Sequence, residues 1–125
     1  MNDRVYDKSG KPISLEEWAT LFNDRQYATI GFYEDERINI STVWLGLNHN
    51  YLDGSPLIFE TMTFVKEHSD ISDLFDQLQW RWRTEDEAKE GHETLVKCYH
   101  EGIEPDGPMQ AVREKHNSLP DQLRH

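Results

Sequence analysis

The chain has 125 residues, of which 24 are acidic and 13 are basic, so its formal net charge is −11 at pH 7. This length allows one domain with a modest core and leaves no room for a two-domain enzyme. The charge argues against unaided binding to DNA, RNA or an anionic membrane. Aromatic residues make up 11% of the chain, too many for a wholly disordered protein. The single cysteine, Cys98, excludes an intrachain disulfide.

The first predicted helix starts after Ser14. Ser14 is a favourable N-cap, and Glu17 three positions later completes a capping box. Ile13 stands where it can pack on Trp18 as a hydrophobic staple, and apolar residues follow at helical spacing as far as Phe22. The pattern predicts an amphipathic helix that turns Trp18 towards a sheet.

The strands are predicted from alternating or β-branched runs of residues. They cover residues 27–33, 37–47, 57–65 and 80–83, with a short edge strand at residues 4–7 ahead of the first helix. Short connections join the first three long strands, which predicts an antiparallel meander. The last strand alternates tryptophan with arginine, so its two indoles are expected on one face and its two guanidinium groups on the other.

A second capping box, Thr84 with Glu87, predicts a helix that runs to about Glu101 and ends at Gly102. Beyond Gly102 there are few apolar residues and no sustained period, so residues 103–125 are predicted to be a polar, disordered tail with at most a transient helix near residues 109–115. The predicted fold is a single α+β domain over residues 1–102. It is a four-stranded, mostly antiparallel sheet with two helices packed on one face.

Three motifs carry a resemblance to a known family. Residues 41–49 read STVWLGLNH, residues 56–62 read PLIFETM, and the step into the second helix has Arg83-Thr84 followed by Gly91-His92. Over roughly residues 4–99 the chain resembles a family of small uncharacterised proteins from tailed phages and related bacterial genomes. The resemblance implies a phage-associated protein and implies no activity. The acidic stretch 70–79 and the tail depart from the family pattern, so a function in either would be particular to this chain.

Acidic residues are concentrated between residues 67 and 93, where nine acidic and three basic residues give a local net charge of −6. One interpretation is a solvated surface. The other is a surface whose carboxylates resemble phosphates and occupy the basic groove of a nucleic-acid-binding protein. Indoles beside arginines also suit a protein contact. The predicted binding residues are Asp70, Asp73, Asp76, Trp80, Trp82, Glu85 and Asp86.

The alternative hypothesis is a small-ligand binder or small enzyme with a pocket between the sheet and the second helix. Glu60 interrupts an apolar strand, where an unpaired buried carboxylate is costly, so it either faces solvent or pairs with His49 or His92. A carboxylate with imidazoles can perform acid–base chemistry or hold a metal, although no HExxH, HxH or CxxC spacing accompanies it. The residues of this alternative pocket are Trp44, His49, Glu60 and His92.

The sequence therefore favours a non-enzymatic, phage-associated interaction protein that binds, and can thereby inhibit, a basic host protein or nucleic-acid-binding protein. We expect no catalytic residue, metal or cofactor, and no direct contact with nucleic acid or membrane. A homodimer that covers the bare face of the sheet stays open. The polar N-terminus and the lone cysteine favour the cytoplasm, which would be the host cytoplasm for a phage-encoded protein.

Overall fold

The computed structural model describes residues 5–48, 56–66 and 72–117. Its elements in chain order are β1 (Val5–Tyr6), β2 (Pro12–Ile13), α1 (Leu15–Asn23), α2 (Arg25–Ala28), β3 (Thr29–Glu34), β4 (Ile38–Trp44), β5 (Phe59–Val65), α3 (Ser72–Phe75), β6 (Gln79–Trp82), α4 (Glu85–Glu101) and α5 (Asp106–Asn117). The main sheet has the order β3-β4-β5-β6 and is antiparallel throughout. Helices pack against it, which confirms the predicted α+β class. The edge strand expected at residues 4–7 forms instead in a separate small sheet, where β1 pairs with β2.

The pairing of the strands gives the main sheet two distinct faces, because successive side chains point to opposite sides. We define the inner face by the cross-strand rows that contain Tyr33, Ile38, Ile40, Thr42, Trp44, Phe59, Thr61, Thr63, Trp80 and Trp82. We define the outer face by the rows that contain Phe32, Glu34, Asn39, Ser41, Val43, Glu60, Met62, Phe64, Gln79 and Arg81. The fully buried core residues of β4 and β5 lie on the inner face, so the core sits on that side.

The inner face is covered by α4, which contacts all four strands. The helix begins as predicted, since the Thr84 hydroxyl accepts a hydrogen bond from the Glu87 N–H at 3.1 Å. It ends at Gly102, whose φ of 68° closes the last turn in the left-handed region. Gly91 allows the helix to approach the sheet closely, because a Cβ there would lie 2.4 Å from the indole of Trp82.

The Trp44 end of the inner face is covered by α1 and α2. Ser14 caps α1 as predicted, with its hydroxyl accepting from the Glu17 N–H at 3.0 Å. Trp18 stacks on Phe22 at a centroid distance of 4.9 Å and donates its indole N–H to the Leu45 carbonyl at 2.8 Å. Trp18 remains half-buried, and none of the residues of α1 is fully buried, so this helix borders the core rather than entering it.

The segment after Gly102 folds as α5 and packs on α4. Met109 and Val112 of α5 are buried in the core, and Arg113 donates to the Arg81 carbonyl at 2.8 Å. The prediction of a disordered tail is therefore wrong for residues 106–117. The physical reason is that two apolar side chains three positions apart are too weak a local signal, yet they find a long-range partner in α4. Residues 118–125 lie outside the described residues.

Candidate functional site

Part of the predicted acidic binding set can be placed in the fold. Asp76 is exposed, and its Oδ1 accepts a hydrogen bond from the Val65 N–H at 3.1 Å. Glu85 lies 3.7 Å from the ammonium nitrogen of Lys8 and 3.6 Å from that of Lys89. Asp86 is exposed and has no ion-pair partner within the described ranges. Asp70 and the side chain of Asp73 lie outside the described residues.

Two further carboxylates of the acidic stretch hold the fold together. Glu87 is buried, and its Oε1 accepts the Arg83 N–H at 2.8 Å. Glu90 accepts hydrogen bonds from Lys115 at 3.1 Å and from His116 at 3.2 Å, which ties α4 to α5. Burial alone would raise the pKa of Glu90, but the hydrogen bonds to Lys115 and His116, together with the charges of these two side chains, lower it. The acidic stretch therefore presents less free negative charge than its sequence suggests.

The two tryptophans predicted to contact a partner lie on the inner face. Trp82 is fully buried and donates its indole N–H to the Thr61 hydroxyl at 2.9 Å. Trp80 is half-buried against the core. The two indoles share the inner face and Arg81 lies on the outer face as predicted, but Arg83 lies beyond β6 and 3.9 Å from the carboxylate of Glu87 on α4, so the second guanidinium does not continue the alternation. The prediction that Trp82 is a binding residue is wrong, because β6 turns its indole face towards α4.

The alternative pocket is not assembled. Glu60 pairs with Val43 in the register and so lies on the outer face, where its carboxylate accepts hydrogen bonds from the Gln79 amide and from Arg81 Nε. Trp44 and His92 lie on the inner side of the sheet. An acid–base pair of Glu60 with His92 is therefore a wrong prediction, since the sheet separates the two side chains. His49 lies outside the described residues.

His92 ends a chain of buried hydrogen bonds that crosses the inner face. Its Nδ1 lies 2.8 Å from the Thr42 hydroxyl, which lies 2.7 Å from the Thr61 hydroxyl, and that hydroxyl accepts from Trp82. The indole N–H of Trp82 can only donate, so the Thr61 oxygen accepts from it. Thr61 then donates its own proton to Thr42, and Thr42 donates to His92 Nδ1, so every hydroxyl proton has an acceptor. This order leaves the proton of the neutral imidazole on Nε2. Burial lowers the pKa of His92, against the opposing effect of Glu93.

A cluster that sequence reasoning missed joins the β3–β4 hairpin to α4. Asp35 Oδ2 accepts the hydroxyls of Tyr33 at 2.9 Å and of Tyr99 at 2.7 Å, while Oδ1 accepts the N–H groups of Arg37 and Ile38. Burial would raise the pKa of Asp35, but the hydrogen bonds, with that of Tyr99 first, lower it to about 2. Burial and Asp35 raise the pKa of Tyr99 to about 12. The turn could be predicted locally, because aspartate is typical of a hairpin tip. Nothing in the sequence indicated that Tyr99, 64 residues away, would donate to Asp35.

An open groove of about 460 Å³ lies between β3 and α4. It is lined by Phe32, Tyr33, His92, Glu93, Val96, Lys97, His100 and Glu101, and we call it the β3–α4 groove. Of the described members of the alternative pocket, Trp44, Glu60 and His92, only His92 lines this groove. Phe32 stands at the rim with 57% of its surface exposed.

The outer face carries several exposed or half-exposed apolar side chains. We call Phe32, Val43, Met62 and Phe64 the outer-face patch, in which Phe32 and Phe64 are 57% and 46% exposed. Two ion pairs flank it, Lys66 with Glu34 and Arg81 with Glu60. In the register Ser41 and Asn39 of β4 stand between the apolar side chains of β3 and β5, so the patch combines exposed apolar side chains with neutral polar ones.

Metal and thiol chemistry find little support in the described residues. Over residues 5–48, 56–66 and 72–117, no group of three His, Cys, Asp or Glu side chains is arranged to hold a metal ion. Cys98 is buried, and burial, followed by the charge of Glu101, raises the pKa of its thiol. The thiol is therefore protonated at neutral pH and packs as an apolar residue.

Comparison with known proteins found no family model, no curated protein and no solved structure that matches the chain. The resemblance to the tailed-phage family stays a prediction. Among the described helices none has the length and apolar character needed to cross a bilayer.

Proposed function

We propose that the protein is a non-enzymatic interaction protein that binds a basic protein partner. The observation that carries the proposal is the outer-face patch, where Phe32 and Phe64 expose 57% and 46% of their surface on one face of the sheet. Exposed apolar side chains mixed with neutral polar ones are typical of protein contacts. The net charge of −11 favours a basic partner. The resemblance to tailed-phage proteins makes a bacterial host protein the partner that we favour.

The hydrogen bonds made by the candidate acid–base residues support a binding role. Glu60 is engaged by Gln79 and Arg81 on the outer face, and His92 Nδ1 is engaged by Thr42 on the inner side. These side chains stabilise the fold and do not converge on a shared substrate position. A surface role needs only exposure and charge, which the patch and the acidic residues supply.

Carboxylates on α4 supply the steering charge. Asp86, Glu93 and Glu101 are exposed and have no ion-pair partner in the described part of the chain. These carboxylates lie on α4, on the opposite side of the sheet from the outer-face patch, so they would accelerate association through their long-range field, which salt screens. The apolar patch would then determine how slowly the complex dissociates.

The test is capture of partners from a bacterial lysate at about 50 mM and 500 mM salt, where screening differs strongly. The immobilised proteins are the wild type, Phe64→Ser, Asp86→Asn/Glu93→Gln, and Glu16→Gln/Glu104→Gln as a control that removes two exposed charges elsewhere. We expect the wild type and the control to retain the same basic protein at low salt. Phe64→Ser should lose it at both salt concentrations, and the α4 variant should capture it more slowly at low salt. Equal capture by all four proteins, or an acidic captured protein, would contradict the proposal.

A further inference from the structure

The two edges of the main sheet differ. At the β6 edge, Arg113 of α5 donates to the Arg81 carbonyl and lies over the Trp82 ring. At the opposite edge, β3 pairs with β4 on one side, and no described strand pairs with its other side. An unpaired edge presents N–H and C=O groups to any strand of suitable shape. A side chain of the protein therefore already uses one outward carbonyl at the β6 edge, whereas no described strand bonds to the outward backbone groups of β3.

The hairpin geometry identifies which backbone groups of β3 point outward. The Asp35 N–H donates to the Ile38 carbonyl at 3.0 Å, which sets the alternation of bonded and non-bonded pairs along the two strands. By that alternation, the backbone groups of Tyr33 and Gly31 face β4. Those of Phe32 and Glu34 point away from it, towards the free edge.

The β3–α4 groove runs beside this free edge. Tyr33 and Phe32, neighbours on β3, both line it, although they belong to opposite faces of the sheet. An added strand would therefore place one alternate set of side chains in the groove against Val96 and the other set on the outer face beside Phe32. Backbone pairing and side-chain contact are available at the same position.

The charge of the groove selects the occupant. Its lining contains Glu93 and Glu101 against Lys97, a net negative balance with the histidines counted as neutral. Neither glutamate has an ion-pair partner among the described residues. A basic segment would complete this lining. A second copy of the chain would bring the same carboxylates and a further net charge of −11.

We propose that an extended basic segment of the partner adds to β3 as a fifth strand, with alternate side chains in the β3–α4 groove. This inference rests on the proposed function and names how that partner binds. Main-chain hydrogen bonds to Phe32 and Glu34 supply the pairing. Glu93 and Glu101 in the groove select arginine or lysine, and Phe32 on the outer face receives the apolar side chains of the other set.

The test uses four nine-residue probe peptides, each blocked at both ends, and the full-length protein labelled with ¹⁵N. The first alternates valine and arginine; the second replaces arginine by glutamate. The third and fourth are the valine–arginine peptide N-methylated on all valine amides or on all arginine amides. A strand turns only alternate amides towards its neighbour, so we expect one methylated peptide to bind like the parent and the other to lose binding. The Phe32 and Glu34 amide resonances should shift with the parent peptide and should not shift with the glutamate peptide.

Variants of the protein supply the matched control. Phe32→Ala keeps the backbone donor and should weaken the parent peptide by about tenfold, while Phe32→Pro removes the donor and should abolish binding. A melting curve of each variant checks that it folds. If Phe32→Pro does not fold, the binding of the two methylated peptides to the wild-type protein tests the added strand instead. Equal affinity for both methylated peptides, or loss of binding for both, would overturn the added strand.

The outcomes also separate this inference from the proposed function. Suppose that the two methylated peptides bind equally, while Phe64→Ser still fails to capture a basic partner from lysate. The added strand is then wrong and the proposed function stands. If the glutamate peptide binds as well as the arginine peptide, the preference for a basic partner fails. Light scattering of the protein alone would reveal a dimer, and a dimer lost in Phe32→Pro would assign the edge to a second copy and overturn the choice of partner.

Discussion

Asp35 is the residue at which the β3–β4 hairpin and α4 meet. Its carboxylate accepts two tyrosine hydroxyls and two backbone N–H groups. Asp35→Asn keeps the shape but removes the charge, and we expect it to lower the free energy of unfolding by about 1–3 kcal/mol. Urea denaturation at pH 7 measures this loss. Glu36→Gln, at the next, exposed position of the same turn, should have little effect.

The same carboxylate predicts a pH dependence. Its folded pKa of about 2 lies below the ordinary value of 3.8, so its stabilising effect is complete above 3.8 and is lost as the pH falls from there towards 2. The stability difference between the wild type and Asp35→Asn should therefore shrink over this interval. A difference that stays constant from pH 5 to pH 2 would contradict the assigned hydrogen bonds.

Thr42 tests the chain of hydroxyls under α4. Thr42→Val keeps the shape but leaves His92 Nδ1 and the Thr61 hydroxyl without their partner, which should cost about 1–3 kcal/mol. Chemical denaturation measures the cost, and Ser41→Ala, the neighbouring hydroxyl on the outer face, is the control. The ¹⁵N shifts of His92 should show a neutral ring protonated on Nε2 in the wild type. A proton on Nδ1 would contradict the donor order.

His92 also predicts a second pH dependence. Burial lowers its folded pKa below the ordinary value of 6.5, so the unfolded chain binds more protons in this range. Stability is then complete above pH 6.5 and falls as the pH decreases below it, down to the folded pKa. Unfolding curves between pH 8 and pH 5 should have a smaller pH slope in His92→Gln than in the wild type. Equal slopes would mean that His92 does not titrate differently in the two states.

At the level of elements, the local signals predicted the helix ends well. Ser14 with Glu17, Thr84 with Glu87, and Gly102 each act on a neighbour within a few residues, so their chemistry is visible in the sequence. Contacts between distant elements were not visible. The side of β6 that Trp82 faces and the sheet face that Glu60 occupies depend on the whole register, which a one-residue change would invert.

The helix α5 carries the prediction for this level. Removal of residues 103–125 exposes the core surface that Met109 and Val112 cover, so the melting temperature should fall by more than about 5 °C. Met109→Ala alone should cost about 2–5 kcal/mol, as do other truncations of buried apolar side chains. Gln110→Ala, at an exposed position of the same helix, is the control. An unchanged melting temperature after truncation would contradict the docking of α5 on the core.

At the level of the whole molecule, the net charge of −11 opposes folding through self-repulsion. Salt up to about 0.3 M screens this repulsion. Salt also weakens the exposed ion pairs, but each of these contributes only about 0–1 kcal/mol to stability. We therefore expect the melting temperature to rise with sodium chloride. The rise should be smaller in Glu16→Gln/Glu104→Gln. A melting temperature that falls with salt would mean that the ion pairs outweigh the repulsion.

The close approach of α4 to the sheet links pairs of positions that are distant in the chain. At Gly91 a Cβ would meet the Trp82 indole, and at Gly31 it would lie 2.7 Å from the His92 ring. A larger residue at either glycine is therefore compatible with the fold only when the ring opposite it becomes smaller. In diverging copies of this chain, positions 82 and 91 should change together, as should positions 31 and 92. Such paired changes would show that the distance between α4 and the sheet is kept while the sequence varies.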